Sequence, residues 1–288
     1  MFLPRKIMEE KLQHFLAEDL GQGDITTALT IPKNTVIEAI VVTKQAGIAA
    51  GIEEATILLE SLGLTAETQV EDGDEIKPKQ VLIKISGNAR TILSVERTVL
   101  DIVSRMSGIA TMTRRLVEAL QKAKFKTRIA CTRKTAPGLA YFDKKAVSIG
   151  GGDTHRLHLD DMVLIKDNHI AVAGSLEKAL KTVRKSASFS KKIEVETAST
   201  EEALSAAKEG ADIIMLDNFS PKQIAETVET LKKAKLYGKS LLEASGGITS
   251  KNILKFASTG VHIVSLGELT HSTRALNVSL EITKTNNR

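Results

Sequence analysis

Apolar and polar positions change their spacing several times in the first hundred residues. Residues 8–20 repeat apolar side chains at helical spacing, with Leu12, Phe15, Leu16 and Leu20 on one side. Further segments follow in this order: a strand within 36–51, a helix over 52–63 that stops at a glycine, strand-like pieces around an Asp-Gly turn within 70–87, and a long helical pattern over 91–124 that is interrupted at Ser107-Gly108. This part of the chain therefore predicts an α+β domain.

Beyond residue 124, short β-rich runs alternate with stretches of helical spacing. Six runs have this character: 128–131, 162–165, 193–196, 213–216, 241–245 and 262–266. Such alternation predicts right-handed βαβ units and a parallel sheet. Because six strands are convincing and eight are not, we expect a smaller or incomplete α/β barrel. No G-x-G-x-x-G fingerprint follows the first run, which disfavours a dinucleotide-binding fold.

Composition narrows the class of protein. The 288 residues are 42% hydrophobic and 26% charged, as in ordinary globular proteins, and no apolar run approaches the roughly 20 residues of a membrane helix. Acidic residues near the start disfavour a secretory signal, so we interpret these residues as mature protein. The single cysteine, Cys131, predicts a reducing compartment, and we expect a cytoplasmic protein. Cys131 is better explained as a small core residue than as a nucleophile.

The net charge of +5 raises the question of nucleic-acid binding. With no Trp, 7 Phe and 2 Tyr, aromatic stacking platforms are scarce, and the basic residues are scattered along the chain. We therefore expect no nucleic-acid partner and no membrane contact. The charge is better explained by a basic surface that includes a pocket for an acidic small molecule.

Each of the six runs is followed by polar residues or glycine at its C-terminal end, where α/β barrels carry their active sites. Five possible cations belong to these ends and the loops beside them: Arg133, Lys134, His155, Arg156 and Lys166. Taken singly, each is most simply a solvated surface charge. Together they suit an anion with several charges, to which Arg offers bidentate geometry and Lys a point charge.

Acidic residues contribute a second group to the same ends. Glu194 and Glu196 are two residues apart, so in a strand they lie on one face, which we expect to be the barrel interior. Asp217 ends the next strand. Two interpretations stay open: a salt-bridge network with the cations, or Mg²⁺ coordination and hydrogen bonding to sugar hydroxyls. Six histidines without paired spacing and one cysteine disfavour zinc.

Ser245-Gly246-Gly247, followed by Ile248 and Thr249 opening a helix, predict a phosphate-binding turn, since backbone N–H groups at a helix N-terminus favour an anion. A plain turn explains these residues equally well, and the glycines at 150–152 carry the same ambiguity. The residues alone thus predict a barrel site for a polyanionic, phosphorylated substrate with a divalent metal. They do not name the reaction.

Short motifs in matching order through nearly the whole chain resemble the quinolinate phosphoribosyltransferase family. They are EDLGQGDITT (18–27), ERT (96–98), SGIAT (107–111), TRKTAPGL (132–139), GGGDTHR (150–156), LIKDNH (164–169), IEVE (193–196), MLDNF (215–219), EASGGI (243–248) and GELTHS (267–272). The resemblance implies an N-terminal α/β sandwich over 1–110, joined by 273–288, and an open α/β barrel over 111–272. It also implies a reaction of quinolinate with phosphoribosyl pyrophosphate and Mg²⁺ that gives nicotinate mononucleotide, pyrophosphate and CO₂.

The resemblance also implies a role for each site residue. The catalytic residues would be Lys134, Lys166, Glu196 and Asp217. The quinolinate carboxylates would be held by Arg133, Lys134, His155 and Arg156, with Lys166 near the reacting groups. Glu196 and Asp217 would serve the ribose hydroxyls and the metal, directly or through water. Phosphate would be held by Ser245, Gly246, Gly247 and Gly267, with His271 at the edge. Arg97 would come from the partner subunit of a homodimer with shared active sites.

Two positions depart from the family's motifs. Thr154 stands where Asn is common, beside the residues that would hold quinolinate, and Asp101 stands where Asn is usual. Two alternatives stay open: a molybdenum-transport-associated paralogue that shares the RKT and GGG…HR segments, and a non-catalytic sensor of a phosphorylated ligand. The intact KDNH motif and the cationic set favour quinolinate, and a sensor would need neither Glu196 nor Lys166.

Overall fold

The computed structural model describes residues 3–286. The chain divides into two compact units, of which the first comprises Met1–Arg114, Lys145–Gly151 and Thr273–Arg288 and the second Arg115–Lys144 and Gly152–Ser272. This division differs from the sequence-based boundaries chiefly in residues 145–151, which group with the first unit. No helix among the described residues combines the length and the apolar character needed to cross a membrane.

The first unit is built on a four-stranded antiparallel sheet in the order β12-β1-β5-β3. Its strands are β1 (Val36–Thr43), β3 (Thr65–Thr68), β5 (Val81–Asn88) and β12 (Val278–Asn286), and β2 (Gly47–Ile48) pairs separately with β4 (Glu75–Ile76). The helices that lie wholly in this unit are α1 (Arg5–Leu20), α2 (Ile25–Thr30) and α3 (Ile52–Ser61). Helix α1 buries Met8, Leu12 and Leu16, the i, i+4, i+8 stripe that its helical spacing predicts.

Helix α4 (Ala89–Lys122) is continuous, so the predicted interruption at Ser107-Gly108 is wrong. The Ser107 hydroxyl bonds both the N–H and the carbonyl of Ala50, each at 3.0 Å. A Cβ atom on Gly108 would lie 2.1 Å from the carbonyl oxygen of Arg274. Ser107 and Gly108 are therefore small because other segments of the first unit pack closely against the helix at these two positions. The helix does not end there.

A buried ion-pair cluster lies in the first unit around Lys145, on helix α5 (Ala140–Ile149). The ammonium group contacts Glu53, lies 2.7 Å from Glu54 and lies 3.7 Å from Asp72. Asp72 also accepts the N–H of Ile52, the first residue of α3. Burial raises the pKa of Glu54 and of Asp72, against the opposing charge of Lys145. The lysine is therefore the counter-charge that makes these buried carboxylates tolerable.

The second unit contains six parallel strands in the order β6-β11-β10-β9-β8-β7. They are β6 (Arg128–Cys131), β7 (Val163–Ile165), β8 (Ile193–Thr197), β9 (Ile213–Asp217), β10 (Leu241–Ser245) and β11 (Ile263–Leu266). Helices alternate with them: α6 (Asp167–Ala173), α7 (Leu176–Ser186), α8 (Thr200–Lys208), α9 (Pro221–Lys233), α10 (Ile253–Ala257) and α11 (Glu268–His271). The prediction of about six parallel strands is confirmed.

The barrel is open between its first and second strands. Among the described residues, β6 pairs with β11 and β7 pairs with β8, but β6 and β7 share no ladder. On that side of β6, Asp153 forms a parallel bridge with Ala130. Its N–H donates to Ile129 and its carbonyl accepts from Cys131. A loop thus occupies the edge where a closed barrel would have another strand.

Candidate active site

A cavity of about 620 Å³ opens at the carboxyl ends of the strands of the second unit. All six strands, or the residues that follow them, contribute to its wall, which confirms the prediction that these ends meet at one site. Most of the predicted site residues line it: Arg133, Lys134, His155, Arg156, Lys166, Glu196, Asp217, Ser245, Gly246 and Gly247. The sequence did not single out Asn218 and Glu243, which also line the cavity.

Lys166 and Glu196 form an ion pair at the wall of the cavity. The strand register brings the two residues together. Ile165 pairs with Val195, and Lys166 and Glu196 directly follow these two residues in the chain. The N–H of Lys166 donates to Nδ1 of His169 at 2.9 Å, which fixes the turn into α6. An ion pair of the kind that the first interpretation expects is therefore present between these two residues, and the same geometry leaves both charges at the cavity.

Asp217 and Ser245 end the neighbouring strands β9 and β10, and Asn218 links them. The Asn218 amide donates to the Asp217 carboxylate at 2.7 Å, and its backbone N–H donates to the Ser245 carbonyl at 2.9 Å. Asn218 has φ 58°, a left-handed conformation that Asn tolerates better than most residues. An Asn directly after a strand end was the available signal for this residue.

In the glycine turn after β10, Gly246 packs closely against a neighbouring residue, whereas the space beside Gly247 is open. Gly246 has φ 90°, and a Cβ atom there would lie 2.2 Å from Oδ1 of Asn218. Gly247 has φ 62°, and a Cβ atom there would meet nothing within 4 Å. The predicted helix start at 248–249 is wrong, because α10 begins at Ile253, after a turn in which Asn252 accepts the N–H of Thr249. An anion here would meet a glycine turn and no helix N-terminus.

A buried trio of titratable groups adjoins the cavity. An oxygen of Glu194 lies 3.2 Å, and one of Glu243 3.4 Å, from Nε2 of His155. Burial alone would lower the pKa of His155, but the two carboxylates outweigh it and draw a proton to Nε2. Burial raises the pKa of Glu194. The backbone N–H of Arg156 donates to Nδ1 of His155 at 2.8 Å, so the ring proton that faces the two carboxyl groups lies on Nε2 and Nδ1 acts as the acceptor.

Glu194 thus lies on the interior face with Glu196, as predicted. Glu243 was missed, although a single charged residue within the apolar run LLEAS was a signal for it. His155 was predicted as a cation for substrate, and it does line the cavity, but both of its ring nitrogens face protein groups.

Cys131 lies at the cavity wall without exposed surface, as predicted for a small core residue. Burial raises the pKa of its thiol, which keeps it protonated and a poor nucleophile. The buried Lys144 lies 3.6 Å from the sulfur and donates to the carbonyl of Thr154. The sequence did not single out Lys144, because its position in the chain resembles that of an ordinary charged residue on the exposed face of an amphipathic helix.

Three predicted residues lie outside the cavity lining. A Cβ atom on Gly267 would lie 2.7 Å from the ring of His271 and 3.2 Å from the side chain of Lys134, so Gly267 lies between His271 and a cavity-lining lysine. Arg97 lies on α4 in the first unit, is 64% exposed, and pairs with Asp101 at 3.5 Å. In the GGG segment, a Cβ atom on Gly150 would lie 2.6 Å from the carbonyl of Ala110, so packing requires that glycine.

Two family models match the chain: "Quinolinate phosphoribosyl transferase, N-terminal domain" over residues 24–107, and "Quinolinate phosphoribosyl transferase, C-terminal domain" over residues 109–281. The chain belongs to the quinolinate phosphoribosyl transferase family, which confirms the resemblance carried by its motifs.

Named relatives agree over nearly the full length. The chain is 43% identical over 275 residues to the probable nicotinate-nucleotide pyrophosphorylase (carboxylating) of Methanothermobacter thermautotrophicus, which covers 96% of this chain and 99% of that protein. It is 46% identical over 260 residues to the protein of the same name from Archaeoglobus fulgidus, with 90% and 98% covered. The structure of the nicotinate-nucleotide pyrophosphorylase from Francisella tularensis superposes with a TM-score of 0.89 at 35% identity, covering 98% of each chain.

Proposed function

We propose that this protein transfers the phosphoribosyl group of phosphoribosyl pyrophosphate to quinolinate, with decarboxylation, to give nicotinate mononucleotide, pyrophosphate and CO₂. The observation that carries the proposal is one cavity in which basic side chains, two strand-end carboxylates and an open glycine turn meet. Basic side chains suit a dianionic aromatic acid, and carboxylates suit the positive charge that develops on the sugar. An open glycine turn suits a phosphate.

The chemistry follows from charge. The ring nitrogen of quinolinate forms a bond to C1 of the ribose as the bond to pyrophosphate breaks, and pyrophosphate leaves with the electron pair. The sugar carbon is cationic during this exchange, so Glu196 and Asp217 would stabilise it electrostatically. The new bond leaves positive charge on the ring nitrogen, which draws the electrons of the adjacent carboxylate bond into the ring as CO₂ departs. A proton then replaces the carboxylate on that carbon.

The basic residues would perform the binding. Arg133 and Arg156 suit carboxylates because a guanidinium donates two parallel hydrogen bonds to a carboxylate. Lys134 would add a point charge, and Lys166, held by Glu196, would lie near the reacting groups. Burial and the neighbouring guanidinium of Arg133 lower the pKa of Arg156. A substrate carboxylate bound beside the two guanidinium groups would reduce the repulsion between them.

Glu196 and Asp217 are also suitable ligands for Mg²⁺. Hard carboxylate oxygens on two neighbouring strand ends, with the rest of the shell left to water and phosphate, match the way this ion is held. When bound, the ion would neutralise charge on the pyrophosphate group as it leaves. This pair of carboxylates is the observation that supports Mg²⁺ as the cofactor.

We infer further that the protein is a cytoplasmic homodimer. A homodimer in which Arg97 of one subunit completes the site of the other is supported by the exposure of Arg97 and by its weak i,i+4 pairing with Asp101. A cytoplasmic location is supported by the single cysteine, which is free and buried.

The experiment is direct. Protein, quinolinate, phosphoribosyl pyrophosphate and Mg²⁺ are mixed, and nicotinate mononucleotide, pyrophosphate and CO₂ are measured in equal amounts. Folded protein that binds phosphoribosyl pyrophosphate by calorimetry but releases no pyrophosphate would favour the non-catalytic sensor. Pyrophosphate release without nicotinate mononucleotide would show a phosphoribosyltransferase with another acceptor.

A further inference from the structure

Two fully buried carboxyl groups converge on one ring nitrogen at the cavity wall. Glu194 on β8 and Glu243 on β10 have no exposed surface, yet none of their oxygens has an aligned hydrogen-bond partner among the described residues. Buried carboxyl groups are costly unless paired, so two of them facing one histidine are unexpected in a core that could be apolar. Their placement therefore calls for an explanation in the site.

The spacing of the trio also fits a metal site, since one ligand atom from each residue lies within 4.8 Å of the others. The second ring nitrogen argues against that use. Nδ1 of His155 accepts the backbone N–H of Arg156 at 2.8 Å, so Nδ1 carries the lone pair and Nε2 carries the proton. A protonated Nε2 cannot bind a cation, but it is drawn towards carboxylates.

The ring of His155 therefore spans from the acid pair to the backbone of Arg156. The backbone of His155 is left-handed, with φ 51°, and its N–H donates to Asp153 at 2.8 Å. Such a conformation costs free energy in a non-glycine residue and persists only where its surroundings impose it. The side chain of Arg156, which follows directly, is nearly buried and lines the cavity. A shift of the imidazole ring would move the backbone from which that guanidinium extends.

We propose that Glu243, together with Glu194, is a positioning residue: acting through the His155 ring, it fixes Arg156 to receive a carboxylate of the aromatic substrate. This inference rests on the proposed function, because it assigns Arg156 to the acid substrate and leaves phosphoribosyl pyrophosphate to other residues. Glu243 itself does not need to touch substrate. Its effect should therefore appear in the binding of one substrate only.

The test compares Glu243→Gln with Glu243→Leu. Gln keeps the length of the side chain and an oxygen that attracts the Nε2 proton, whereas Leu keeps most of the volume and removes that oxygen. We expect Glu243→Leu to raise KM for quinolinate at least tenfold, with kcat and KM for phosphoribosyl pyrophosphate changed less than threefold. Glu243→Gln should stay within threefold of the wild type in all three. Glu54→Gln, an equally buried carboxyl group in the first unit, is the control.

A merely structural role would change the thermal midpoint and leave the quinolinate KM unchanged, and that result overturns the proposal, as does an equal rise in both KM values. If Glu243→Leu does not fold, Glu243→Asp withdraws the carboxyl group by one methylene and carries the same expectations. Nitrogen-15 NMR of the histidine rings gives a readout that needs no substrate: the Nε2–H resonance of His155 should keep its wild-type position in Glu243→Gln and shift in Glu243→Leu, because one of the two carboxyl groups that face this nitrogen is gone. If the wild type does not use quinolinate, the proposed function fails, and an unchanged ring spectrum in Glu243→Leu would independently overturn the positioning role.

Discussion

Lys166 and Glu196 are joined by an ion pair that crosses from the end of β7 to the end of β8. The lysine side chain is 43% exposed and that of the glutamate 15%, so water screens the pair on one side. Ion pairs of this kind contribute about 0–1 kcal/mol to folding. The ion pair thus adds too little to the folding free energy to explain why these two residues stand here. We expect them to contribute to the reaction instead.

Glu196→Gln should fold normally and lose activity. The change removes a charge with little change of volume, so packing survives, while a cationic transition state loses an electrostatic partner. We expect turnover to fall on the order of a hundredfold, as for other charge-stabilising groups. Steady-state kinetics and a thermal melt check this, with Glu226→Gln on the exposed face of α9 as the control. Unchanged turnover with a lower melting temperature would favour a purely structural salt bridge.

Quinolinate should bind far better than nicotinate. Quinolinate has two carboxylates and nicotinate has one, and the cavity offers Arg133, Lys134 and Arg156 to them. A charged hydrogen bond is worth about 1.5–3 kcal/mol, so loss of one carboxylate should weaken binding by about tenfold or more. Competition calorimetry with the two acids measures the ratio. Comparable affinity would show that the basic residues do not hold both carboxylates.

Adjacent glycines should respond differently to alanine. Gly247→Ala adds a Cβ atom in open space, so its stability cost should be about 1–2 kcal/mol for the left-handed backbone. If that space holds a phosphate of phosphoribosyl pyrophosphate, its KM should rise at least about tenfold while KM for quinolinate stays unchanged.

Gly246→Ala carries the same backbone cost and a collision with Asn218, so it should be the less stable of the two variants in a denaturant titration. Equal stability would mean that Asn218 can move away. An unchanged KM for phosphoribosyl pyrophosphate in Gly247→Ala would remove the turn from the phosphate site.

Arg97→Ala and Lys134→Ala should complement each other if the site is shared between subunits. Each homodimer lacks one component in both sites and should be nearly inactive. In a mixed dimer, one site carries both defects and the other carries neither. A statistical mixture should therefore regain roughly a quarter of wild-type activity, because half of the dimers are mixed and each has one intact site. No recovery, despite demonstrated subunit exchange, would show that Arg97 acts within its own chain or has no role.

Lys145→Met should destabilise the first unit in a pH-dependent way. The change leaves Glu54 buried without its counter-charge, for which a loss of about 3–5 kcal/mol in unfolding free energy is typical near pH 8. The pKa of Glu54 is already raised above its ordinary 4.5, and removal of Lys145 raises it further. Because the pKa of Glu54 is higher in the folded than in the unfolded protein, the folded protein binds this proton more tightly, and the free energy of unfolding falls as pH rises through the range between the two pKa values. The loss of stability caused by Lys145→Met should therefore be smaller at pH 5 than at pH 8.

Urea titrations of the wild type and of Lys145→Met at pH 8 and pH 5 measure this difference. Lys222→Met, which removes an exposed lysine on α9, should change the unfolding free energy by less than about 1 kcal/mol at either pH. A deficit that is equal at both pH values would mean that Glu54 does not take up the proton.

Local signals in the sequence were enough for the strands and for most of the cavity. Apolar runs with polar ends identified β6 to β11, because a buried parallel strand and the loop after it differ sharply in composition. The break predicted at Ser107-Gly108 was wrong because the sequence does not show which segments pack against the helix. A small residue that close packing requires then looks the same as one that ends a helix. The contact of His155 with both Glu194 and Glu243 could not be foreseen. It joins a loop to two strands that are separated by β9, and no spacing along the chain encodes it.

The opening between β6 and β7 also has a protective consequence. Strand edges left unpaired attract other chains and promote aggregation, so proteins usually cover them. Here Asp153 covers the edge of β6 with main-chain hydrogen bonds, and the same short loop carries His155 and Arg156 into the cavity. A mutation that loosened this loop would therefore uncover an adhesive edge while it displaced the substrate-binding arginine. Loss of activity and a tendency to aggregate should arise together at this position of the fold.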